Sequence, residues 1–448
     1  MLSVLQDRTY RHLFLAQVIA LVGTGLATVA LGLLAYDLAG ADAGAVLGTA
    51  LAIKMVAYIG IGPVANAFAD RLPRRAFLVS MDLVRAGVAL MLPFVTEIWQ
   101  VYLLIFLLQS ASAAFTPAFQ AAIPDILPDE ARYTRALSLS RLAYDLESLV
   151  SPMLAAALLS VISFHWLFGG TVLGFLASAA LVVSVVVPQP KRQPQAGGTY
   201  ARTTRGSRIY LKTPRLRGLL ALNLAAAAGG AMVIVNTVVF VRSLLGRSEN
   251  DVALGLAAFG AGSMLAALAL PRVLERLDDR KVMVTAALLL AASLLATAAA
   301  IATPGLDRWA ALLMLWPIMG VGYSAVLTPS GRLLRRSANP EDRSAVFAAQ
   351  FALSHACWLV TYLVAGAVGA RIGLGWTSVA LAVLAAVGVL GALAFWPTED
   401  PDVVVHRHDD LPAHHPHLRE GKPTGDVRTH AHDFVIDDLH RQWPSAGI

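Results

Sequence analysis

The stretch ADRLPRRAFLV (Ala69–Val79) separates two apolar runs and has a counterpart, LERLDDRKVMV (Leu274–Val284), 205 residues further along the chain. A second pair, TPAFQAAIPDILPDEAR (Thr116–Arg132) and TPSGRLLRRSANPEDR (Thr328–Arg343), is separated by 212 residues. Chance similarity between apolar helices is the alternative explanation, but both matches fall in polar loops at corresponding positions. The spacing therefore indicates a duplicated unit, which is typical of secondary transporters with a substrate site between the halves.

The composition is that of a membrane protein. Of the 448 residues, 57% are hydrophobic and only 14% are charged, whereas soluble proteins carry about 25% charged residues. Cys357 is the single cysteine, so no intramolecular disulfide can form. The basic residues are distributed over short loops and do not line one face, which argues against nucleic-acid binding.

Twelve apolar runs approach or exceed the length of about 20 residues that a helix needs to cross a bilayer. They cover residues 13–38, 44–68, 76–96, 99–122, 133–159, 165–187, 215–241, 251–274, 282–303, 308–330, 344–369 and 373–396. We therefore predict an all-α membrane protein with an N-terminal six-helix bundle (1–187), a mobile cytoplasmic linker (188–214), a C-terminal six-helix bundle (215–396) and a tail (397–448).

The loops after the even-numbered runs are rich in lysine and arginine, whereas those after runs 1, 3 and 5 contain neither residue. Because positively charged loops remain in the cytoplasm, both termini are predicted to be cytoplasmic. The N-terminus lacks a small-residue cleavage site, so we expect the first run to remain as a membrane anchor.

The loop NAFADRLPRR (Asn66–Arg75) resembles the G-x-x-x-D-R-x-G-R-R loop of the major facilitator superfamily, although a simple positive-inside cluster is the alternative. The charged residues that match this motif are Asp70, Arg71, Arg74 and Arg75. The resemblance covers residues 1–396 and implies twelve helices in two pseudo-symmetric bundles, with the loop charges helping to close the cytoplasmic gate. The N-terminal half and the histidine-rich tail are also similar to nickel-resistance exporters of this superfamily, which implies the bacterial cytoplasmic (inner) membrane.

Helix 5 carries three charged residues within RLAYDLESLV (Arg141–Val150), and each costs about 3 kcal/mol at the bilayer centre. Arg141 and Asp145 are four positions apart and can neutralise each other, either in transport or as a purely structural pair. Glu147 has no basic partner within reach on its own helix. It is therefore the better candidate for holding a cation or a proton on a water-filled path.

Helix 11, laid over helix 5 at an offset of 210 residues, places His355 on Asp145 and Cys357 on Glu147. Carboxylate, imidazole and thiolate together suit borderline divalent metals such as Ni²⁺, Co²⁺, Zn²⁺ or Fe²⁺. We predict two half-sites for such an ion, used alternately, one on each helix. A packing role for Cys357 is the alternative.

The tail contains eight of the eleven histidines. The predicted metal ligands are His406, His408, His414, His415, His417, His430, His432 and His440. Neutral imidazole binds Ni²⁺, Cu²⁺ and Zn²⁺, and the close spacing allows several nitrogens to chelate one ion. The proline and glycine content predicts a largely disordered tail that orders only around metal. A pH-sensitive tail without a metal function is the alternative.

These observations predict a secondary active exporter of divalent transition-metal ions, with Ni²⁺ favoured, driven by proton antiport. The chain has no phosphate-binding G-x-x-x-x-G-K-[ST] loop and no nucleophile–base set, so an enzyme is not predicted. Expected partners are the metal ion, protons and lipid; we expect a monomer without a cofactor. Two other hypotheses stay open: an exporter of organic compounds such as a drug or a siderophore, and a non-transporting metal sensor.

Overall fold

The computed structural model describes residues 2–69, 73–188, 199–339 and 342–401 and parts of the tail (403–408, 412, 416–419, 422–423, 429–437 and 439–444). The helices are α1 (Arg8–Ala39), α2 (Ala43–Ala69), α3 (Arg74–Met91), α4 (Ile98–Ile126), α5 (Glu130–Leu159), α6 (His165–Val183), α7 (Thr199–Lys212), α8 (Pro214–Val239), α9 (Glu249–Leu274), α10 (Asp279–Ala302), α11 (Arg308–Leu327), α12 (Ser330–Arg336), α13 (Arg343–Ile372) and α14 (Leu374–Phe395). The strands are β1 (Val403–Arg407), β2 (Lys422–Pro423) and β3 (Thr429–Asp433).

Twelve of these helices coincide with the twelve predicted apolar runs, which confirms the predicted fold class of an all-α membrane protein. Ten stretches of the described helices are long and apolar enough to span a membrane, and the first of them, Arg8–Ile61, contains both α1 and most of α2. In α5 the continuous apolar segment is the shorter Val150–Leu159. The two helices that the sequence analysis did not predict, α7 and α12, are short and less apolar.

The two six-helix halves contact each other where α2 packs along α13 and where α5 packs along α9. Glycines allow the first of these contacts to be close. A Cβ atom built on Gly48 of α2 would lie 2.6 Å from the carbonyl oxygen of Tyr362 and 3.0 Å from the Cα atom of Gly366, both on α13. Small residues of this kind let the backbones of membrane helices approach one another.

The predicted linker contains helix α7, which is attached to the C-terminal half. Arg205 forms two hydrogen bonds to the carboxylate of Asp342, at 2.6 and 3.0 Å. Gly206 is so close to α13 that a Cβ atom there would lie 2.1 Å from the carbonyl oxygen of Ala345. The expectation of a mobile linker therefore does not hold for residues 199–212, because the amphipathic helix buries one face, including Tyr210, against its own half.

The described part of the tail forms an antiparallel sheet in the order β1–β3–β2. It is joined to the helices through Asp400, which accepts hydrogen bonds from Arg215 of α8 at 3.3 Å and from the indole of Trp396 at 3.1 Å. The expectation of a largely disordered tail does not hold for these residues. The reason is that β1 pairs with β3 in a register that places His406 opposite His430 and Val404 opposite His432.

Candidate functional site

Glu147 lies on a face of α5 that packs against α1. One turn further along the same face, Ser151 donates a hydrogen bond to the carbonyl oxygen of Val22 at 3.5 Å. A Cβ atom built on Gly25 of α1 would lie 2.7 Å from Oε1 of Glu147. The absence of a side chain at Gly25 thus makes room for the carboxylate between the two helices.

Lys54 of α2 is a basic residue within electrostatic range of Glu147 that the sequence analysis missed. Its charge interacts with the carboxylate of Glu147 and with the imidazole of His355 on α13. The ammonium lies 5.6 Å from the centre of the Tyr58 ring, one turn further along α2. A lysine inside an apolar run, four residues before a tyrosine, is a sequence signal that could have identified this partner.

His355 lies at the contact between the two halves. Its ring centre is 5.3 Å from that of Tyr58 on α2 and 4.0 Å from that of Phe351 on its own helix. Its Nδ1 atom lies 2.6 Å from the carbonyl oxygen of Phe351. Because a carbonyl only accepts, Nδ1 carries the proton and Nε2 keeps a free lone pair in the neutral ring. We call Glu147, Lys54 and His355 the membrane site. These three titratable residues come from both halves of the chain.

Cys357 has a different environment. Its Sγ atom lies 3.9 Å from the carbonyl oxygen of Leu220 on α8, inside the C-terminal half. Residues two positions apart on a helix point about 200° from each other, so His355 faces α2 while Cys357 faces α8. The structure thus does not bring these two predicted ligands together.

Several predicted residues lie outside what the structure describes. These are Asp70 and Arg71 of the loop, the side chains of Arg141 and Asp145 on α5, and His414 and His415 of the tail.

The other two predicted gating residues contact their own half. Arg74 donates to the carboxylate of Asp125 at 2.6 Å and to the carbonyl oxygen of Pro188 at 3.1 Å. Arg75 donates to the carbonyl oxygen of Val183 at the end of α6, where the helix dipole favours a positive charge. In this structure both arginines hold helix ends within the N-terminal half, and their role in gating stays a prediction.

Five histidines of the tail converge on one point, and we call them the histidine cluster: His406, His417, His430, His432 and His440. One nitrogen of each lies within 4.8 Å of the corresponding nitrogen of every other. Among the Nε2 atoms, His440 is 3.0 Å from His406 and 3.1 Å from His417, and His430 is 3.1 Å from His406. The structure therefore brings together residues that are up to 34 positions apart in the sequence.

Strand pairing explains much of this convergence. His406 of β1 stands directly opposite His430 of β3, and His432 follows two positions later on the same face of the strand. His417 comes from the short 3₁₀ helix Pro416–Arg419. His408, also predicted as a ligand, is buried beside the cluster, with its ring 5.0 Å from those of His406, His417 and His440 and 5.3 Å from that of His430.

In three rings of the cluster, those of His406, His432 and His440, the Nδ1 atom faces an oxygen acceptor. Burial, together with the neighbouring histidines, lowers the pKa of His406 to about 4, so this ring is neutral and able to bind a metal at neutral pH. Burial alone would favour the neutral acid of Asp437, but hydrogen bonds from the side chain and backbone of His440 outweigh it and lower the pKa to about 2. The cluster thus contains the neutral imidazole of His406, and an ionised carboxylate lies beside His440.

The whole helical body has a recognisable counterpart in known proteins. The sequence matches the Major Facilitator Superfamily over residues 13–248 and 219–425. It is 25% identical over 341 residues to the uncharacterized MFS-type transporter YfiS of Bacillus subtilis (strain 168), covering 73% of this chain and 77% of that protein. It is 27% identical over 153 residues to macrolide efflux protein A of Streptococcus pyogenes, covering 32% of this chain and 38% of that protein.

Solved structures show the same fold. The nucleoside transporter NupG superposes with a TM-score of 0.66 at 14% identity, covering 87% of this chain and all (100%) of that chain. A bacterial homologue of the human lysosomal transporter Spinster, in an inward-facing conformation, superposes with a TM-score of 0.64 at 16% identity, covering 87% of this chain and 98% of that one. With its duplicated six-helix halves and a sequence match that extends over nearly all of them, the chain belongs to the major facilitator superfamily and is a multi-pass membrane transporter, not an enzyme.

Proposed function

We propose that this transporter is a secondary active exporter of divalent transition-metal ions, with Ni²⁺ favoured and Co²⁺, Zn²⁺ or Fe²⁺ as alternatives. The observation that carries the proposal is the convergence of five imidazole nitrogens in the histidine cluster. Imidazole is a preferred ligand of these ions. The charge pattern of the loops supports a cytoplasmic tail, on the side from which an exported ion is collected, and the resemblance to nickel-resistance exporters supports the bacterial inner membrane.

The membrane site supplies groups suited to coupling metal and proton movement. A dication and the ammonium of Lys54 compete for the carboxylate of Glu147. The dication therefore binds only when Lys54 moves away. Protonation of Glu147 removes the negative charge that holds the cation. The free Nε2 of His355, on the opposite half, can add a neutral ligand when the halves move relative to each other. Asp145, Arg141 and Cys357 are further candidates for this route.

Transport measurements test this proposal directly. Proteoliposomes containing the full chain should move Ni²⁺ against an imposed proton gradient, and Glu147→Ala should lose at least about 90% of this flux because the group that exchanges cation for proton is gone. Glu275→Ala, an exposed carboxylate at the end of α9, is the matched control and should keep wild-type flux. Equal Ni²⁺ content in cells with the wild type and with an empty vector would reject metal export.

An exporter of organic compounds is the second candidate. Two observations favour it: the likeness to macrolide efflux protein A, and the aromatic residues around the membrane site. Besides Tyr58 and Phe351, the ring of Trp358 lies 5.0 Å from that of Tyr362 and 6.1 Å from that of Tyr323. Drug tolerance without metal tolerance in expressing cells would favour this function. If purified protein moves neither class but binds metal, a sensor role follows.

A further inference from the structure

The proton positions in the histidine cluster follow from its hydrogen-bond partners. His406 Nδ1 faces the carbonyl oxygen of Val404 at 3.0 Å, and His432 Nδ1 faces that of Asp433 at 2.8 Å. His440 Nδ1 lies 2.9 Å from the carboxylate of Asp437. These partners can only accept hydrogen bonds, so in the neutral rings the proton is on Nδ1 and the lone pair is on Nε2.

The lone pairs of two of these rings point at each other. The Nε2 atoms of His406 and His440 are 3.0 Å apart, and in the neutral form of both rings each carries its proton on the opposite nitrogen. Two lone pairs at this distance repel each other. A cation bound by both nitrogens turns the repulsion into coordination, so the geometry fits a metal site better than a network of hydrogen bonds.

The distances also distinguish between coordination geometries. With metal–nitrogen bonds of about 2.1 Å, neighbouring nitrogens lie about 3.0 Å apart in an octahedron and about 3.4 Å apart in a tetrahedron. Three of the four Nε2 pairs in contact are separated by 3.0 to 3.1 Å and the fourth, His417 with His432, by 3.3 Å. Five donors also exceed the four of a tetrahedral zinc site.

A continuous series of contacts leads from the cluster to the helices. The ring of Phe434 lies 4.9 Å from that of His406, 4.7 Å from that of His440 and 5.0 Å from that of Trp443. Trp443 in turn lies 5.2 Å from the guanidinium of Arg215, which is 1% exposed at the start of α8.

The tail also contacts α7 directly. Lys212, the last residue of α7, donates a hydrogen bond to the carbonyl oxygen of Arg441 at 2.7 Å. Arg441 is adjacent to His440 in the sequence. His440 of the histidine cluster is thus the direct sequence neighbour of Arg441, which contacts α7, the helix between the two halves of the transporter.

We propose that the histidine cluster is a regulatory site for one six-coordinate divalent transition-metal ion, outside the membrane site, and that the bound ion fixes the tail on α7 and α8. Five imidazole nitrogens and one water complete the coordination. Ordering His440 orders the adjacent Arg441 and, through Phe434, the ring of Trp443. The ion therefore controls how firmly the helix between the halves is held to the C-terminal half.

This inference takes only the class of ion, a divalent transition metal, from the proposed function. Binding of the ion can be measured without measuring transport. A protein that binds one six-coordinate ion but exports no metal would support the site and defeat the export proposal. A protein that exports Ni²⁺ but has no six-coordinate site in the tail would support the export proposal and defeat the proposed site.

The test uses the full chain, purified in detergent and freed of metal, with Co²⁺ as a spectroscopic probe and Ni²⁺ for titration. We expect one ion per chain and the weak visible absorption of six-coordinate Co²⁺. Asp437→Asn, which removes the negative charge of the acceptor behind His440, should weaken Ni²⁺ binding by about 10- to 100-fold. His12→Ala, at a histidine of α1 far from the tail in the sequence, is the control and should bind as the wild type does.

The docking step has its own measurement. Hydrogen exchange of α7 and of residues 429–437 should slow on addition of Ni²⁺ in the wild type, and His430→Ala should lose this effect while its helices keep their exchange rates. Any of three results would overturn the proposal. The first is the intense absorption of four-coordinate Co²⁺, and the second is unchanged metal binding in both His430→Ala and Asp437→Asn. The third is hydrogen exchange in α7 that does not change when the metal is added.

Discussion

Arg74 at the start of α3 and Asp279 at the start of α10 are 205 residues apart, occupy matching positions in the two halves, and have opposite charges. Arg74 forms an ion pair with Asp125 near the end of α4 at 2.6 Å. Asp279 forms one with Arg332 of α12 at 2.5 Å. In each half, an ion pair thus joins the start of the third membrane helix to the region that follows the fourth or ends it, and the polarity is opposite in the two halves.

Exchanging the charges of Arg74 and Asp125 should preserve the ion pair between them. Arg74→Asp places two carboxylates together near the end of α4, and we expect a loss of about 1–3 kcal/mol in stability because Arg74 is largely buried. Adding Asp125→Arg should restore most of the loss, measured as the thermal unfolding temperature in detergent. If the double variant is as unstable as Arg74→Asp alone, the pair is not what holds these helix ends.

Glu147 and Lys54 should be coupled energetically. Removing one member of a contacting buried ion pair costs about 3–5 kcal/mol. A smaller loss is expected for Glu147 and Lys54, which are half-buried and interact through their charges. Glu147→Gln and Lys54→Met should each lower the unfolding temperature, while the double variant should lose less than the sum of the two. Glu275→Gln serves as the control. Strict additivity of the two effects would show that the charges do not interact.

The close contact between α2 and α13 should depend on Gly48. An added methyl group would lie 2.6 Å from a carbonyl oxygen of α13, so Gly48→Ala forces the two halves apart. We expect transport to slow by at least about tenfold, since a shift of a few tenths of an ångström in a packed contact costs about 1–3 kcal/mol. Gly60→Ala on the same helix has no atom within 4 Å and should behave as the wild type. Equal rates in both variants would contradict this role.

The metal-free tail should lose stability in mild acid. The pKa of His406 is about 4 in the folded tail, against about 6.5 in an unfolded chain. Between these values the unfolded chain binds more protons, so the stability contributed by the neutral ring is complete above pH 6.5 and is lost as the pH falls towards 4. Hydrogen exchange at Val405 and Ala431 on the paired strands measures this loss. His406→Gln should flatten the profile, and protection that stays constant from pH 7 to 4 would disprove the expectation.

Much of the architecture could be predicted from the sequence. The twelve apolar runs, the repeat at 205 residues and the division into two halves all appear in the structure. They are predictable because the length of an apolar helix is set by the thickness of the bilayer, which is the same for every span. The two short helices α7 and α12 escaped prediction because their stability comes from packing on neighbouring helices.

For the functional sites, less could be predicted from the sequence than for the fold. The sequence alone identified Glu147 and the tail histidines as unusual, because an intramembrane charge and clustered imidazoles are visible residue by residue. Only the tertiary structure decided that Lys54 lies within electrostatic range of Glu147, that His355 and Cys357 face different helices, and that five histidines meet. These relations depend on helix rotation, strand register and packing between segments far apart in the chain, none of which a local pattern of residue types contains.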